Sequence, residues 1–491
     1  MTRTVPLALV VWVHLAASAA AQSADKIVAR HINAIGGTHA LEQIVSSTVT
    51  GTVTLPDGRS ETFIQETKRP NLLHISMAWS GGRWSTGFNG RSVWQDDPRD
   101  GLRTLMGRAA ANTRSEAAYA NRDVFGDGGQ RQFTLMGKDQ VGGRPVFVVD
   151  AMTHDVITRT LFVDADTYLL LKEQHETEAG SESRIYGDYR RVGQVMEPHR
   201  IEWHRGHDRL VITVATVAHN TALDERVFDF PRTAAAPPLD VAEFLSSVTR
   251  NQQDIEALIA SYAYTAATTS RELDQTGRIT KETEDVSEIF VVGGRTVQKQ
   301  VKRNGRELSE AEKRREQRRV DEIVREYQKQ STRSVATGGL ASPIPPISSF
   351  LRMYEFTNPR REQMRGTTAL VFDIQPKRDV QARNDLERRL SSWKMAGTYW
   401  IDERARQVIR TDTYLTERST SLFLEGMWIA SEQALVNNEV WLPSFTESQR
   451  TAAFGLTFVD KRWYHRTTTQ YSDYRKFNVA SDYQITLPEV K

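Results

Sequence analysis

The run Tyr186-Gly187-Asp188-Tyr189-Arg190 returns near the end of the chain as Tyr471-Ser472-Asp473-Tyr474-Arg475. Each copy sits late in a stretch of short segments with alternating apolar residues. Each stretch opens with an amphipathic helical pattern. A period of 3.6 giving way to a period of 2, twice over, predicts two related β units in tandem. The expected fold class is α+β, mainly antiparallel β, in two tandem lobes, where regular short strands with turn signals favour one curved sheet, a sandwich or a barrel. The pentapeptide itself reads as a mark of a shared strand type and not as a site.

Outward from the first copy, a helix is expected over 23–45. Ile27, Ile35, Leu41, Ile44 and Val45 are its apolar residues, and Gly36-Gly37 splits it. Strands follow at 48–55 and 60–67, turned by Pro56-Asp57-Gly58. Leu73, Ile75, Met77 and Trp79 alternate with polar or small residues, as in a half-buried strand. Asn89-Gly90 joins the strands 84–88 and 92–95 as a tight hairpin. The alanine-rich segment 98–129 breaks the pattern and predicts a helix or two crossing the sheet. Strands then resume through residue 218, with turns at Gly142-Gly143, Asp164 to Asp166 and Gly206.

The second half restarts with a helix over 240–260 and strands at 262–273, 278–290 and 295–303. Ser309 and Glu312 have capping-box spacing at the head of a charged helix, 309–330. Its Arg314-Arg315 and Arg318-Arg319 could meet anionic headgroups, but interleaved Glu and Asp favour a solvated, salt-bridged face. After a Gly- and Pro-bearing stretch, strands are expected at 369–375, 398–402, 408–416, 439–443, 454–464 and 471–477. Two further correspondences join the halves. Gly143 to Asp150 resembles Gly366 to Asp373, and Leu161-Phe-Val-Asp164 resembles Tyr399-Trp-Ile-Asp402.

The ends set the compartment. Arg3, an apolar run from Val5 to Ala17 and Ala19-Ala20-Ala21 read as a secretory signal over 1–21, cleaved before Gln22. The expected division is then 22–231, a linker at 232–239 carrying Pro237-Pro238, and 240–491. The chain has no Cys, which rules out disulfides and a lipidated cysteine. A formal charge of +2 gives no general attraction for nucleic acid. A periplasmic location is expected.

No motif names a reaction. His199, His204 and His207 cluster with Glu197 and Asp208, but His199 and His204 alternate on a strand and face opposite ways. A metal-dependent hydrolase is therefore the weakest reading. There is no Gly-x-Ser-x-Gly elbow, and the glycine pairs sit at hairpin turns, where they cradle no phosphate. Neither enzyme activity nor a metal or other cofactor is expected. Aromatic residues on strands are more informative. Phe63, Trp79, Trp84, Phe88, Phe162 and Trp203 are the expected lining of a hydrophobic ligand cavity.

The stretch Gly87-Phe88-Asn89-Gly90-Arg91-Ser92-Val93-Trp94-Gln95 carries a resemblance. With it go Ile35 to Leu41, Thr50 to Val53, Lys68-Arg69-Pro70-Asn71 and Phe162-Val163-Asp164. Over residues 25–230 the chain resembles the LolA-like family of outer-membrane lipoprotein carriers. The second half is a diverged relative at best. The resemblance implies an incomplete antiparallel barrel closed by helices, with a cavity for acyl chains. Gly90 and Trp94 would then belong to a structural hairpin. No position matches the family's lid-locking arginine. The expected function is non-covalent carriage of a lipid or acylated protein, with an outer-membrane or envelope protein as a possible partner. The alternative is an envelope scaffold with filled cores.

Overall fold

The computed structural model describes residues 23–79, 82–122, 125, 132–153, 157–177, 180–231, 240–259, 261–274, 277–292, 295–331, 347–417, 424–454 and 461–476. The segment expected to be an export signal, the expected linker 232–239, the glycine pair at 293–294 and the stretch 332–346 lie outside them. So does the side chain of Trp79.

The expected split gives two helices, α1 (Ala24–Ala34) and α2 (Thr38–Glu42). Gly36 and Gly37 separate them at φ of 133° and 86°, which only glycine adopts easily. Six strands follow: β1 (Ser46–Thr54), β2 (Ser60–Lys68), β3 (Leu72–Trp79), β4 (Gly82–Phe88), β5 (Val93–Asp97) and β6 (Gly101–Thr104). Then come α3 (Gly107–Ala120), β7 (Gln132–Val141), β8 (Arg144–Met152), β9 (Thr158–Asp164) and β10 (Leu170–Thr177). The long strands β11 (Gly180–Val192), β12 (Val195–Arg205) and β13 (Asp208–His219) complete one 13-stranded antiparallel sheet.

The second sheet has 11 strands. It opens with α4 (Val241–Ile259), β14 (Tyr262–Leu273), β15 (Ile279–Val292), β16 (Arg295–Arg303) and β17 (Arg306–Glu307). The helices α5 (Glu310–Ser331) and α6 (Ile347–Met353) come next. The rest are β18 (Tyr354–Met364), β19 (Thr367–Pro376), α7 (Asp385–Ser392), β20 (Met395–Asp402), β21 (Val408–Leu415), β22 (Leu424–Val436), β23 (Val440–Phe454) and β24 (Lys461–Lys476). β17, β18 and β22 were not expected, nor was β6 within the stretch 98–129 read as helical, and the strand expected at 454–464 is instead the end of β23 and the start of β24.

The two sheets share a plan. In each, the first strand pairs with the last: β1 with β13 and β14 with β24. Early strands run outward on one side, and later strands return to the other edge. A helical segment joins the outer edges, α3 in one sheet and α5 with α6 in the other. On this plan β9 matches β20, and the match reaches single atoms. Asp164 Oδ1 accepts from the amides of Asp166 and Thr167, at 3.1 and 2.7 Å. Asp402 Oδ1 accepts from Arg404 and Ala405, at 2.8 and 2.6 Å. Tyr168 and Arg406 then take positive φ, 59° and 56°.

The pentapeptides do not match on this plan. One lies on β11, two strands away from β13, and the other on β24, the counterpart of β13. Their likeness is local. Asp188 and Asp473 both take positive φ, 51° and 54°, which Asp tolerates better than most residues. Each interrupts its ladder, and the tyrosine after it reaches a neighbouring strand. Tyr189 donates to Leu170 O at 2.7 Å, and Tyr474 donates to Pro443 O. The repeat that suggests duplication is thus the same strand irregularity used at two different places.

α3 fixes the shape of the first sheet. It touches β3, β4 and β5 on one side and β10 on the other. β4 and β10 are seven places apart in the sheet, which is roughly 33 Å if flat at the usual strand spacing. A helix about 10–12 Å across cannot bridge that. The sheet therefore curls around α3. Ala110, Ala111 and Ala117 bury their small faces against Phe63, Ile75, Trp84 and Trp203. The end strands β6 and β7 do not pair, so the barrel stays open among the described residues.

Candidate functional site

The hollow beside α3 keeps a mostly apolar cavity of ≈ 200 Å³, with Arg122, Glu173, Arg184 and Glu197 also on its wall. Strand residues Phe63, Ile75, Trp203, Ile212 and Val214 form its wall, and α3 contributes Ala120. Their side chains face inward because alternate residues of each strand share one face. The six aromatic residues singled out from sequence are distributed as follows. Phe63, Trp84, Phe88 and Trp203 are all buried in one core cluster around α3. Phe63 and Trp203 line the apolar cavity, and Trp84 lines a neighbouring one. Phe88 lines neither. Phe162 packs elsewhere, with Val146 and Leu171. The side chain of Trp79 is outside the described residues.

A knot of buried charge borders this cavity through Glu116, Glu173 and Arg184. The fully buried Arg159 donates to Glu116 at 2.7 Å and to Glu173 at 3.1 Å. Arg184 donates to the same two carboxylates, at 2.6 and 3.1 Å. Each glutamate thus bridges two arginines, and the four charges sum to zero. Burial alone would raise the Glu116 carboxyl, but Arg184 and Arg159 outweigh it and hold it far below the usual range. The arginines also stack on aromatic faces, Arg184 over Trp203 at 4.4 Å and Arg159 over Tyr119 at 4.7 Å. The knot ties α3 to β9, β10 and β11. Sequence reasoning missed it. A signal existed in β10, where Leu171, Glu173 and His175 occupy one buried face, so two polar residues stand at inward positions.

Beyond the knot lies a second cavity of ≈ 230 Å³. Ile75, Glu116, Arg184 and Trp203 are common to both walls. This one is more polar, with Arg205, Glu182, Asn112 and His175 on its surface. His175 is buried, and its pKa is pushed down to about 2, first by burial and then by Arg159 and Arg184. It stays neutral at any ordinary pH.

The second sheet holds α3 in place. Asp412 on β21 accepts from Gly107 N at 2.8 Å, at the first turn of α3, and pairs with Arg114 at 3.2 Å. Arg114 lies over the Tyr414 ring at 4.1 Å. Trp428 and Ala430 of β22 join the same apolar cluster as the alanines of α3. The Gly87 to Gln95 hairpin docks here as well. Asn89 Nδ2 donates to Asp229 and to Asp373, both at 3.0 Å, and Tyr414 donates to Gly90 O at 3.0 Å. Gly87 is required because a Cβ would come within 2.4 Å of the Trp94 ring. Trp94 in turn donates to Phe228 O at 2.8 Å.

The histidine group does not converge. His199 is buried and bonded to Glu197 O at 3.1 Å, His204 is half-buried, and His207 is exposed at the turn. Among the described residues no group of three His, Asp or Glu is placed to hold a metal. No described helix is long and apolar enough to cross a membrane. α5 is salt-bridged as expected, with Lys313 on Glu310 at 2.9 Å and Arg319 on Glu316 at 2.6 Å. The Ser309–Glu312 capping box forms, with Ser309 N donating to Glu312 at 2.8 Å.

Fold and site together define a class: curled, open antiparallel sheets, the first wrapped around a helix and keeping cavities beside it. Solved structures similar to the chain include a LolA superfamily protein from Nitrosomonas europaea. It is 14% identical, covers 42% of this chain and 97% of its own, and has a TM-score of 0.29. A DUF1329 family protein from Desulfovibrio piger is 11% identical over 42% of this chain and 98% of its own, at a TM-score of 0.30. Pseudomonas aeruginosa MucB, solved with MucA, is 10% identical over 92% of this chain and 99% of its own, at a TM-score of 0.20. No family model matches the chain, and no curated relative does.

Proposed function

We propose that the chain is an exported, periplasmic carrier that binds the acyl part of a lipid or acylated protein without covalent chemistry. One observation carries this reading: a mostly apolar cavity of ≈ 200 Å³ inside a curled sheet, beside helix α3. Cores normally pack without voids larger than a water molecule. A retained apolar space walled by Phe63, Ile75, Ile212 and Val214 suits a chain of methylenes. Each methylene moved from water into such a site contributes about 0.8 kcal/mol. Two units, 22–231 and 240–491, would divide the work, the first holding the ligand and the second bracing the covering helix. The carrier needs no catalytic group.

Lipid extraction and mass spectrometry of the purified protein test this. Bound acyl lipid in stoichiometric amount supports the carrier. A protein that is free of lipid, and that binds no fluorescent fatty acid, fits the scaffold reading instead.

A further inference from the structure

The two cavities lie side by side, and what stands between them is charged. Ile75, Glu116, Arg184 and Trp203 line both spaces, so these side chains form the partition. Its charges are fully matched. Arg184 donates to Glu116 at 2.6 Å and to Glu173 at 3.1 Å, and the buried Arg159 bonds the same two carboxylates. Trp203 lies against Arg184 at 4.4 Å. Trp203 is held in turn by the edge-on ring of Trp84, at 6.3 Å, and by its own bond to Glu182.

A neutral, interlocked set of charges is an unusual filling for a core. Apolar side chains of similar volume usually serve stability as well or better. The charged set has one property that they lack, which is that an acyl chain cannot push it aside. A methylene gains by leaving water for an apolar wall such as Phe63, Ile212 and Val214. At the partition it would have to part ion pairs and leave buried charges unmatched. That cost exceeds the gain from several methylenes. The wall beyond is also more polar, with Glu182 and Arg205 on it, so a methyl end gains less there.

We propose that Glu116 and Arg184 set the acyl length that this protein accepts. An acyl chain fills the first cavity and ends at the partition, and longer ones bind no more tightly. The inference rests on the carrier reading above and adds its selectivity.

Calorimetric titration of the whole protein with saturated fatty acids, from octanoic to octadecanoic acid, is the test. Affinity should rise about fourfold with each methylene and then stop rising. Glu116→Ala combined with Arg184→Ala removes one charge of each sign and leaves Arg159 paired with Glu173 at 3.1 Å. In that double variant the rise should continue, by roughly tenfold over the first two methylenes past the parent's limit. Ala109 is half-buried and lines the second cavity but not the first, so Ala109→Trp fills only the space beyond the partition. It should leave every affinity of the parent unchanged and cancel the gain in the double variant. The proposal is wrong if affinity in the parent climbs undiminished to octadecanoic acid. It is equally wrong if a folded double variant keeps the parent's limit. Should the double variant fail to fold, the parent background decides: Ala109→Trp weakening the longest acids as much as Val49→Trp does would overturn the proposal. Fatty acids that bind without any length limit leave the carrier reading standing, whereas no binding at any length sinks both.

Discussion

Asn89 shows how much one side chain holds. Its Oδ1 accepts from the amides of Arg91 and Ser92, at 3.0 and 2.9 Å, which shapes the hairpin. Its Nδ2 bridges Asp229 and the fully buried Asp373 of the second sheet. Burial would raise the Asp373 carboxyl, but Arg360, Asn89 and Asn358 hold it below the usual range. Asn89→Ala should therefore cost about 2–4 kcal/mol in urea unfolding, since hydrogen bonds to charged groups are worth about 1.5–3 kcal/mol each. Asn89→Asp should cost more, by placing a third carboxylate beside two. His175 makes a second prediction at this scale. Its folded pKa is depressed from 6.5 to about 2. Its stability is thus fully present above pH 6.5 and lost as pH falls towards 2. At roughly 1.4 kcal/mol per pH unit, about 2 kcal/mol goes between pH 6.5 and 5. The melting temperature should fall over that range, and His175→Gln should flatten the fall. His175 left a trace in the sequence as a polar residue at an inward position of β10, but the role of Asn89 was not legible. Asn89 and Asp373 stand 284 positions apart, and nothing local marks them as partners.

At the scale of elements, α3 is held by a sheet from the other half of the chain. Asp412→Ala would leave the buried Arg114 without its carboxylate and Gly107 N without its acceptor. A broken buried pair costs about 3–5 kcal/mol. Hydrogen exchange should speed up along α3 well before the strands of either sheet respond. Arg114→Met added to Asp412→Ala should recover part of the loss, because an apolar replacement leaves no buried charge behind. Most strands were legible because one face is buried and turn residues punctuate them, as in the hairpin at Asn89-Gly90. β22 was not. Its Met427, Trp428 and Ala430 are all buried, because both of its faces are covered, so the alternation disappears. β18 was missed for the opposite reason. It is an edge strand with Pro359 and Arg360-Arg361 and a register shift between Thr357 and Arg360, polar as edges usually are.

Over the whole molecule, the largest core cluster draws on both sheets, with Ala396, Tyr414, Trp428 and Ala430 beside Phe63 and Trp84. The two halves are thus bound by apolar packing as well as by the Asn89 and Asp412 contacts. The second half braces the helix that covers the cavities of the first. The mainly antiparallel β class was legible in the sequence from period and turns, and the open barrel came from the LolA-like resemblance. The cavity was not legible, because a residue on an inward face reads the same whether it fills a core or lines a space.

Equilibrium binding of a fluorescent fatty acid to the parent protein and to Val49→Trp tests the carrier reading most directly. Val49 lines the apolar cavity from β1 and is half-buried, so the larger ring fills the space at small cost to the core. The account predicts saturable binding at one site, weakened at least roughly tenfold in Val49→Trp, with little change in melting temperature. Absence of saturable binding, or equal affinity in the two proteins, would contradict it.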